Sequence, residues 1–166
     1  MIQNKSTLMV IADISGSMGE AAKPAILRDM ISHIGEGLSL KNNTLPFNEI
    51  ELFFCNEKCK SVKIKSTEDL LTLEFGGKLN IDGVIDLLKA NKDDNINRVI
   101  ILSDWNLNKE NKQRFVNFVK HKKKFSIRVV LIEIGLTVED IKNMNSRHYF
   151  HPQDISKALS PWPILE

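Results

Sequence analysis

Residues 7–18 read TLMVIADISGSM, an apolar run that turns polar at Asp13. The almost unbroken apolar run of residues 7–14 is typical of a parallel strand that is covered on both faces. From residue 19 to about residue 40, apolar side chains recur every four positions, as they do in a helix that packs along a sheet. We therefore predict that the first strand lies in the centre of a sheet and that a helix follows it.

The rest of the chain alternates between strand-like and helix-like segments. Residues 98–103 (RVIILS) and 126–134 (SIRVVLIEI) predict two more buried strands. Residues 50–55 and 61–64 are separated by a turn, which predicts an antiparallel hairpin at an edge of the sheet. The other predicted elements are a helical turn at 67–71, a break at Gly76 and Gly77, helices at 80–90, at 109–122, from 138 and at 152–159, and a strand at 148–150. This order predicts a three-layer α/β/α, Rossmann-like domain with a mainly parallel central sheet and one antiparallel edge strand.

The length and composition favour one domain. The chain has 166 residues, of which 42% are hydrophobic, and this suits a single domain at residues 1–159 with a short tail at 160–166. A net charge of +2 does not indicate the strongly basic surface that binds nucleic acids, so we expect no nucleic-acid partner. The first ten residues lack a signal-peptide pattern, and no apolar run approaches the ~18 residues of a membrane span. We therefore expect a cytoplasmic protein without a membrane partner.

Cys55 and Cys59 are the two cysteines of the chain. Their spacing would suit a metal or a disulfide, but a zinc site of this kind needs a second pair of ligands. We expect two free thiols that flank a turn.

Four polar side chains come directly after predicted strands. Asp13, Ser15 and Ser17 follow the first strand, and Asp104 follows the strand RVIILS. In open parallel sheets, ligands bind outside the carboxyl ends of the strands. Carboxylate and hydroxyl oxygens suit a hard cation such as Mg²⁺. These residues predict a cation site, and the alternative is a loop whose hydroxyls only cap backbone amides.

The motif DISGSM resembles the DxSxS motif of von Willebrand factor A (VWA) domains and integrin inserted domains. Asp104 resembles the second Asp of their metal-ion-dependent adhesion site. The order of elements, the double glycine and the late HYF before a helix are similar to compact bacterial members that are associated with tellurite-resistance-type and phage-defence operons. The resemblance implies that Asp13, Ser15, Ser17 and Asp104 are metal ligands for Mg²⁺, or for Mn²⁺ or Ca²⁺.

The same resemblance implies a protein–protein interaction module and not an enzyme. Such a domain would act as an adaptor in a bacterial stress-response or antiviral defence system. Its partners would be other proteins of that system, for example an ATPase, a kinase, a phosphatase or a protease.

The sequence departs from the family after the double glycine. Where the family has a Thr that supplies a further oxygen, this chain has Leu79, with Lys78 as an additional residue. Either the site keeps a weakened cation, or the ammonium of Lys78 occupies its place. An ammonium about 4 Å from a divalent cation would cost roughly 8 kcal/mol at an effective dielectric of ~20, so the two exclude one another.

Three residues are predicted to form a partner-binding rim, namely Lys78, Trp105 and Trp162. Trp105 either lies half-exposed beside Asp104 or packs under the following helix. Trp162 belongs to the tail SPWPILE, which packs on its own domain or enters a groove of a partner.

Two other function classes remain as alternatives. A phosphatase-like hydrolase would use Asp13 as nucleophile, but Ser15 stands where such an enzyme needs a general acid. No serine-hydrolase elbow or phosphate-binding loop is present in the sequence. The second alternative is a metal-free structural subunit that assembles through its tail.

Overall fold

The computed structural model describes residues 6–39, 47–91, 96–121, 125–133 and 148–160. Six strands within these ranges form one sheet in the order β3-β2-β1-β4-β5-β6. The strands are β1 Thr7–Asp13, β2 Glu49–Cys55, β3 Cys59–Val62, β4 Ile96–Ser103, β5 Ser126–Leu131 and β6 Tyr149–Phe150. Every neighbouring pair is parallel except β2 and β3. The predicted α/β fold with one antiparallel edge strand is confirmed.

Along the chain the helices come between the strands, as predicted, although some begin or end at other residues than predicted. They are α1 Lys23–Ser39, α2 Glu68–Leu71, α3 Ile81–Ala90, α4 Lys109–His121 and α5 Ile155–Leu159, with 3-10 turns at Gly16–Gly19 and Pro152–Asp154. The first helix begins four residues later than predicted because Gly16–Gly19 forms a turn of its own, followed by a left-handed backbone at Ala21 (φ 51°). The helix predicted from residue 138 lies outside the described residues.

Strand β1 is the centre of the core, and all seven of its residues are buried. Leu8 and Val10 pack on one side of the sheet with residues of α1, whereas Met9 and Ile11 pack on the other side with residues of α3 and α4. Successive side chains of a strand point to opposite faces, so the apolar run of β1 supplies both interfaces. This explains why the run does not alternate with polar residues. In the described part of the chain, no helix is long and apolar enough to span a membrane.

Arg128 anchors the last described helix to the sheet. Its side chain donates hydrogen bonds to the carbonyl oxygens of Lys157, Ala158 and Ser160 at 3.1, 2.8 and 3.2 Å. Burial, together with the charge of Arg98, lowers the pKa of Arg128 to about 10, so the guanidinium stays charged at neutral pH. Ser160, the first residue of the predicted tail, is thereby held against the domain.

The expectation of free thiols at Cys55 and Cys59 is wrong. The two residues face each other in the β2–β3 hairpin with their Cα atoms 4.1 Å apart, and their sulfurs form a disulfide. The turn of residues 56–58 brings about this pairing, because it folds β3 back so that its first residue lies opposite the last residue of β2. The spacing of the cysteines alone did not reveal the hairpin register.

We expect thiol labelling of the unfolded protein to detect no free cysteine before reduction and two after it. Reduction should lower the free energy of unfolding by about 2 kcal/mol, because a loop this short loses only a modest amount of chain entropy on closure. Urea unfolding with and without a reducing agent measures the difference. The Cys55→Ser/Cys59→Ser variant is the control, and its stability should not respond to the reducing agent. Labelling of both thiols before reduction would contradict the pairing.

Candidate functional site

The polar residues of the predicted site meet at one edge of the sheet. Strands β1 and β4 are parallel neighbours, so their carboxyl ends lie side by side. Asp13 is the last residue of β1, Ser103 is the last of β4, and Asp104 follows directly. The loop of residues 14–18, called the site loop below, carries Ser15 and Ser17. The four predicted residues thus lie at one edge of the sheet.

Asp13 is a buried carboxylate, 1% exposed. Its Oδ1 accepts a hydrogen bond from the backbone nitrogen of Ser15 at 2.8 Å, and its Oδ2 accepts one from the hydroxyl of Ser103 at 2.5 Å. Burial raises the pKa of Asp13, the hydrogen bonds of Ser103 and Ser15 lower it, and the charge of Asp104 raises it again; the net effect is upward. Among the described residues, no cationic side chain hydrogen-bonds to this carboxylate. Within the described ranges, Asp13 therefore has hydrogen-bond donors but no bonded cation.

The two hydroxyls of the site loop lie close together. The Oγ atoms of Ser15 and Ser17 are 3.3 Å apart, with Ser15 buried and Ser17 half-buried. A buried carboxylate beside paired hydroxyls offers several oxygen donors within one loop. This is the donor chemistry that a hard divalent cation requires.

A glycine loop of residues 76–80 holds the site loop in place. The backbone nitrogen of Gly16 donates to the carbonyl of Gly77, and the nitrogen of Gly76 donates to the carbonyl of Ile14, both at 3.0 Å. Gly77 has a φ of 68°, and an added Cβ would come within 3.0 Å of the Glu57 side chain. Glycine is therefore required at position 77 by both backbone conformation and space.

The β2–β3 turn supports the glycine loop from behind. The side-chain nitrogen of Asn56 donates to the carbonyl of Gly76 at 3.2 Å, and the backbone nitrogen of Asn80 donates to the carbonyl of Asn56 at 2.8 Å. Asn80 also caps α3, accepting hydrogen bonds from the nitrogens of Asp82 and Gly83. A continuous chain of contacts thus connects the edge hairpin, through the glycine loop, to the site loop.

Asp104 is paired with a lysine that the sequence did not single out. The Nζ of Lys23, the first residue of α1, lies 2.9 Å from Oδ2 of Asp104, and the two side chains are 9% and 1% exposed. Burial lowers the pKa of Lys23, but the hydrogen bond and charge of Asp104, together with the charges of Glu133 and Glu20, outweigh burial and raise it. The ammonium is therefore charged, and it lies beside one of the predicted metal ligands.

Solved structures of other proteins share this arrangement of strands and helices. The manganese-loaded TRAP protein of Plasmodium vivax matches 95% of this chain and 73% of its own, with a TM-score of 0.68 and 16% identity. The von Willebrand factor type A protein of Catenulispora acidiphila (TM-score 0.55, 12% identity) and the ArnB paralog VWA2 of Sulfolobus acidocaldarius (TM-score 0.54, 17% identity) each match 93% of this chain. The chain has the von Willebrand factor A fold.

The likeness to these VWA proteins is one of fold. This chain spans 41% of the length of the Catenulispora protein and 44% of the length of VWA2. No protein-family model matches the sequence, and no curated protein matches it. What the site can bind therefore depends on the residues of this chain itself.

The VWA position that usually holds a threonine is apolar here. Leu79 is 8% exposed and belongs to the core on the α3 side of the sheet. Lys78 is exposed, so the hypothesis that its ammonium fills the site is wrong. The ammonium in contact with a site carboxylate is that of Lys23, which reaches Asp104 from α1.

Trp105 does not form an exposed rim. It is 4% exposed, and its ring packs edge-on against Phe115 of α4 and against Tyr149, with centroids 5.2 and 6.4 Å away. The structure therefore has Trp105 packed under the following helix, and the rim assignment is wrong. The left-handed backbone at this residue (φ 55°) accompanies the inward placement. Trp162 lies outside the described residues.

The residues at this edge fit a divalent cation in their chemistry. Asp13, Ser15 and Ser17 supply oxygen ligands. The negative charge of the buried Asp13 carboxylate favours a bound cation. No group of three or more His, Cys, Asp or Glu side chains converges within the described ranges, so any cation here depends on hydroxyl donors as well. The apolar Leu79 removes one donor and Lys23 adds a repulsive charge, so these residues suit a weak cation site.

We expect Asp13→Asn to raise the melting temperature at neutral pH in the presence of EDTA. Because the folded-state pKa of Asp13 is raised above 3.8, ionised Asp13 destabilises the fold. This cost is absent below the unfolded-state pKa and fully present above the folded-state pKa, so the gain should shrink as the pH falls towards 3.8. Calorimetry across this range measures it, with Asp86→Asn on the surface of α3 as the matched control. A lower melting temperature for Asp13→Asn at neutral pH would contradict the conclusion that ionised Asp13 destabilises the fold.

Proposed function

We propose that this VWA domain is a protein-recognition module, and not an enzyme, whose site receives an acidic side chain of a partner protein. The site consists of Asp13, Ser15, Ser17 and Asp104, and it is called the cation site below. One observation carries the proposal, namely the buried and uncompensated carboxylate of Asp13 beside two hydroxyls at the open end of the sheet. Burying an unpaired charge is costly, and proteins retain such charges mainly where a ligand or metal compensates them.

The cation that we propose is Mg²⁺, with Mn²⁺ or Ca²⁺ as substitutes. Asp13, Ser15 and Ser17 would hold it, with Asp104 as the second carboxylate at the site. Such a cation keeps coordination positions open, and the carboxylate of another protein can take one of them. The half-buried Ser17 and the exposed Gly16 leave the site loop accessible from solvent.

The hydrolase alternative has a serine where it needs an acidic proton donor. Ser15, at the position of the general acid, is 4% exposed and faces the hydroxyl of Ser17. A hydroxyl cannot protonate a leaving group at neutral pH. His121 and His148 each use Nδ1 in a contact with a backbone carbonyl oxygen, that of Asn117 at 2.7 Å and that of Ile127 at 3.2 Å. Recognition requires none of these groups, which favours it over hydrolysis.

The setting that we propose is an adaptor role in the cytoplasm of a bacterium, within a stress-response or antiviral defence system. The family resemblance of DISGSM and of the double glycine supports it. The partners would be other proteins of that system. In a reducing cytoplasm the Cys55–Cys59 disulfide would be open to reduction. Whether the two cysteines are bonded in protein taken from cells therefore indicates which compartment the protein was in.

A pull-down from the source cells tests the proposed function. Wild-type and Asp13→Ala baits are each used with Mg²⁺ and with EDTA, and bound proteins are identified by mass spectrometry. We expect a partner that is captured by wild-type protein with Mg²⁺ and lost on chelation or on substitution of Asp13. Asp86→Ala, which removes an exposed carboxylate from α3, is the matched control and should retain the partner. Capture that is equal in all conditions would place the interface elsewhere.

A further inference from the structure

The ammonium of Lys23 is bonded to Asp104, the carboxylate that the VWA resemblance assigns to a cation. Both oxygens of Asp104 are engaged: Oδ1 accepts a hydrogen bond from the backbone nitrogen of Asn106 at 3.1 Å, and Oδ2 accepts one from Lys23 at 2.9 Å. With the Asp104 side chain 1% exposed, there is little room for a second approach from solvent. A cation that approaches Asp104 therefore meets the ammonium of Lys23 at Oδ2.

The surroundings of Lys23 are acidic on more than one side. The charges of Glu133, which follows β5, and of Glu20, which precedes α1, act on the ammonium in addition to Asp104. Asp13 lies at the same edge and has no cationic partner among the described residues. Within these ranges, carboxylates at this edge outnumber the ammonium. Lys23 can thus leave Asp104 and still be attracted by Glu133 and Glu20.

We propose that Lys23 is a built-in competitor of the divalent cation, so that cation binding and release of Lys23 from Asp104 are coupled. The inference rests on the proposed cation site and adds its regulation. Without the cation, the Lys23–Asp104 pair balances one of the two buried carboxylates, and the negative charge that remains on Asp13 disfavours the approach of an acidic group. With the cation bound, repulsion between like charges drives the ammonium away from Asp104. The protein therefore responds to the cation only when its concentration is high enough to displace Lys23.

Two features of the pair make it suitable as a competitor. The first is position: Lys23 belongs to the first turn of α1, and Pro24 follows it, so the backbone that carries the ammonium is well defined. The second is reach, because a lysine side chain has a flexible stem that can carry its charge to another carboxylate without moving the helix.

Titration with Mn²⁺ tests the competition. Binding is measured by isothermal titration calorimetry on wild type, Lys23→Gln and Lys89→Gln. Lys23→Gln keeps a hydrogen-bond donor for Asp104 and removes the charge, and we expect it to bind Mn²⁺ at least tenfold more tightly than wild type, a difference of about 1.4 kcal/mol. Lys89→Gln removes the same charge from an exposed pair with Asp86 and should leave the affinity unchanged. Adding Asp13→Asn to Lys23→Gln should abolish binding.

The outcomes separate this inference from the proposed function. Equal Mn²⁺ affinity of wild type and Lys23→Gln, with binding that still needs Asp13, would overturn the competition and leave the cation site in place. Absence of Mn²⁺ binding to both proteins would overturn the competition and also the metal-dependent form of the proposed function.

A second measurement keeps the test valid if Lys23→Gln does not fold. The side-chain resonances of lysine are followed by NMR in wild-type protein during Mg²⁺ titration, with Lys23 assigned through Lys23→Arg. We expect the Lys23 signal to shift with saturation of the site, whereas the Lys89 signal stays in place. A Lys23 signal that does not change while Mg²⁺ binds would contradict the coupling.

Discussion

The buried negative charge at the ends of β1 and β4 is the constraint on which the site depends. Asp13 and Asp104 are both buried, and in the described part of the chain only Asp104 has an ammonium partner, Lys23. Because desolvation penalises a charge without a partner, this edge of the sheet favours any cation that can reach it. The raised pKa of Asp13, the position of Lys23 and the fit to a divalent ion all follow from this imbalance.

The fold maintains the imbalance by fixing the backbone around it. Strand β1 is buried on both faces, and the hairpin turn and glycine loop hold the site loop against it through backbone hydrogen bonds. On the other side, Trp105 packs into the core directly after Asp104 and fixes the backbone there. A flexible loop would let such a buried charge turn out into water, whereas this rigid scaffold keeps it buried.

The sequence could predict the strands and helices, and it could predict that Asp13 and Asp104 lie together, but it could not predict the part of Lys23 in the site. Apolar periodicity reports burial directly, and parallel strands end at one edge, so Asp13 and Asp104 could be placed together without a structure. Lys23 could not be found, because a lysine at a helix start is typical of a solvated surface and its partner lies 81 positions away. The inward Trp105 depends on a left-handed backbone that has no local sequence signal here. The Cys55–Cys59 bond depends on a hairpin register that the spacing of the cysteines alone does not determine.

A crystal structure of the wild-type protein grown at high Mn²⁺ concentration tests the account most directly. Anomalous scattering locates the manganese, and the same map shows the Lys23 side chain. The account predicts manganese at Asp13, Ser15 and Ser17, with Nζ of Lys23 displaced from its hydrogen bond with Asp104. Manganese at full occupancy with Nζ of Lys23 still 2.9 Å from Oδ2 of Asp104 would contradict the coupling, because the cation and the Lys23–Asp104 pair would then be present in the site together.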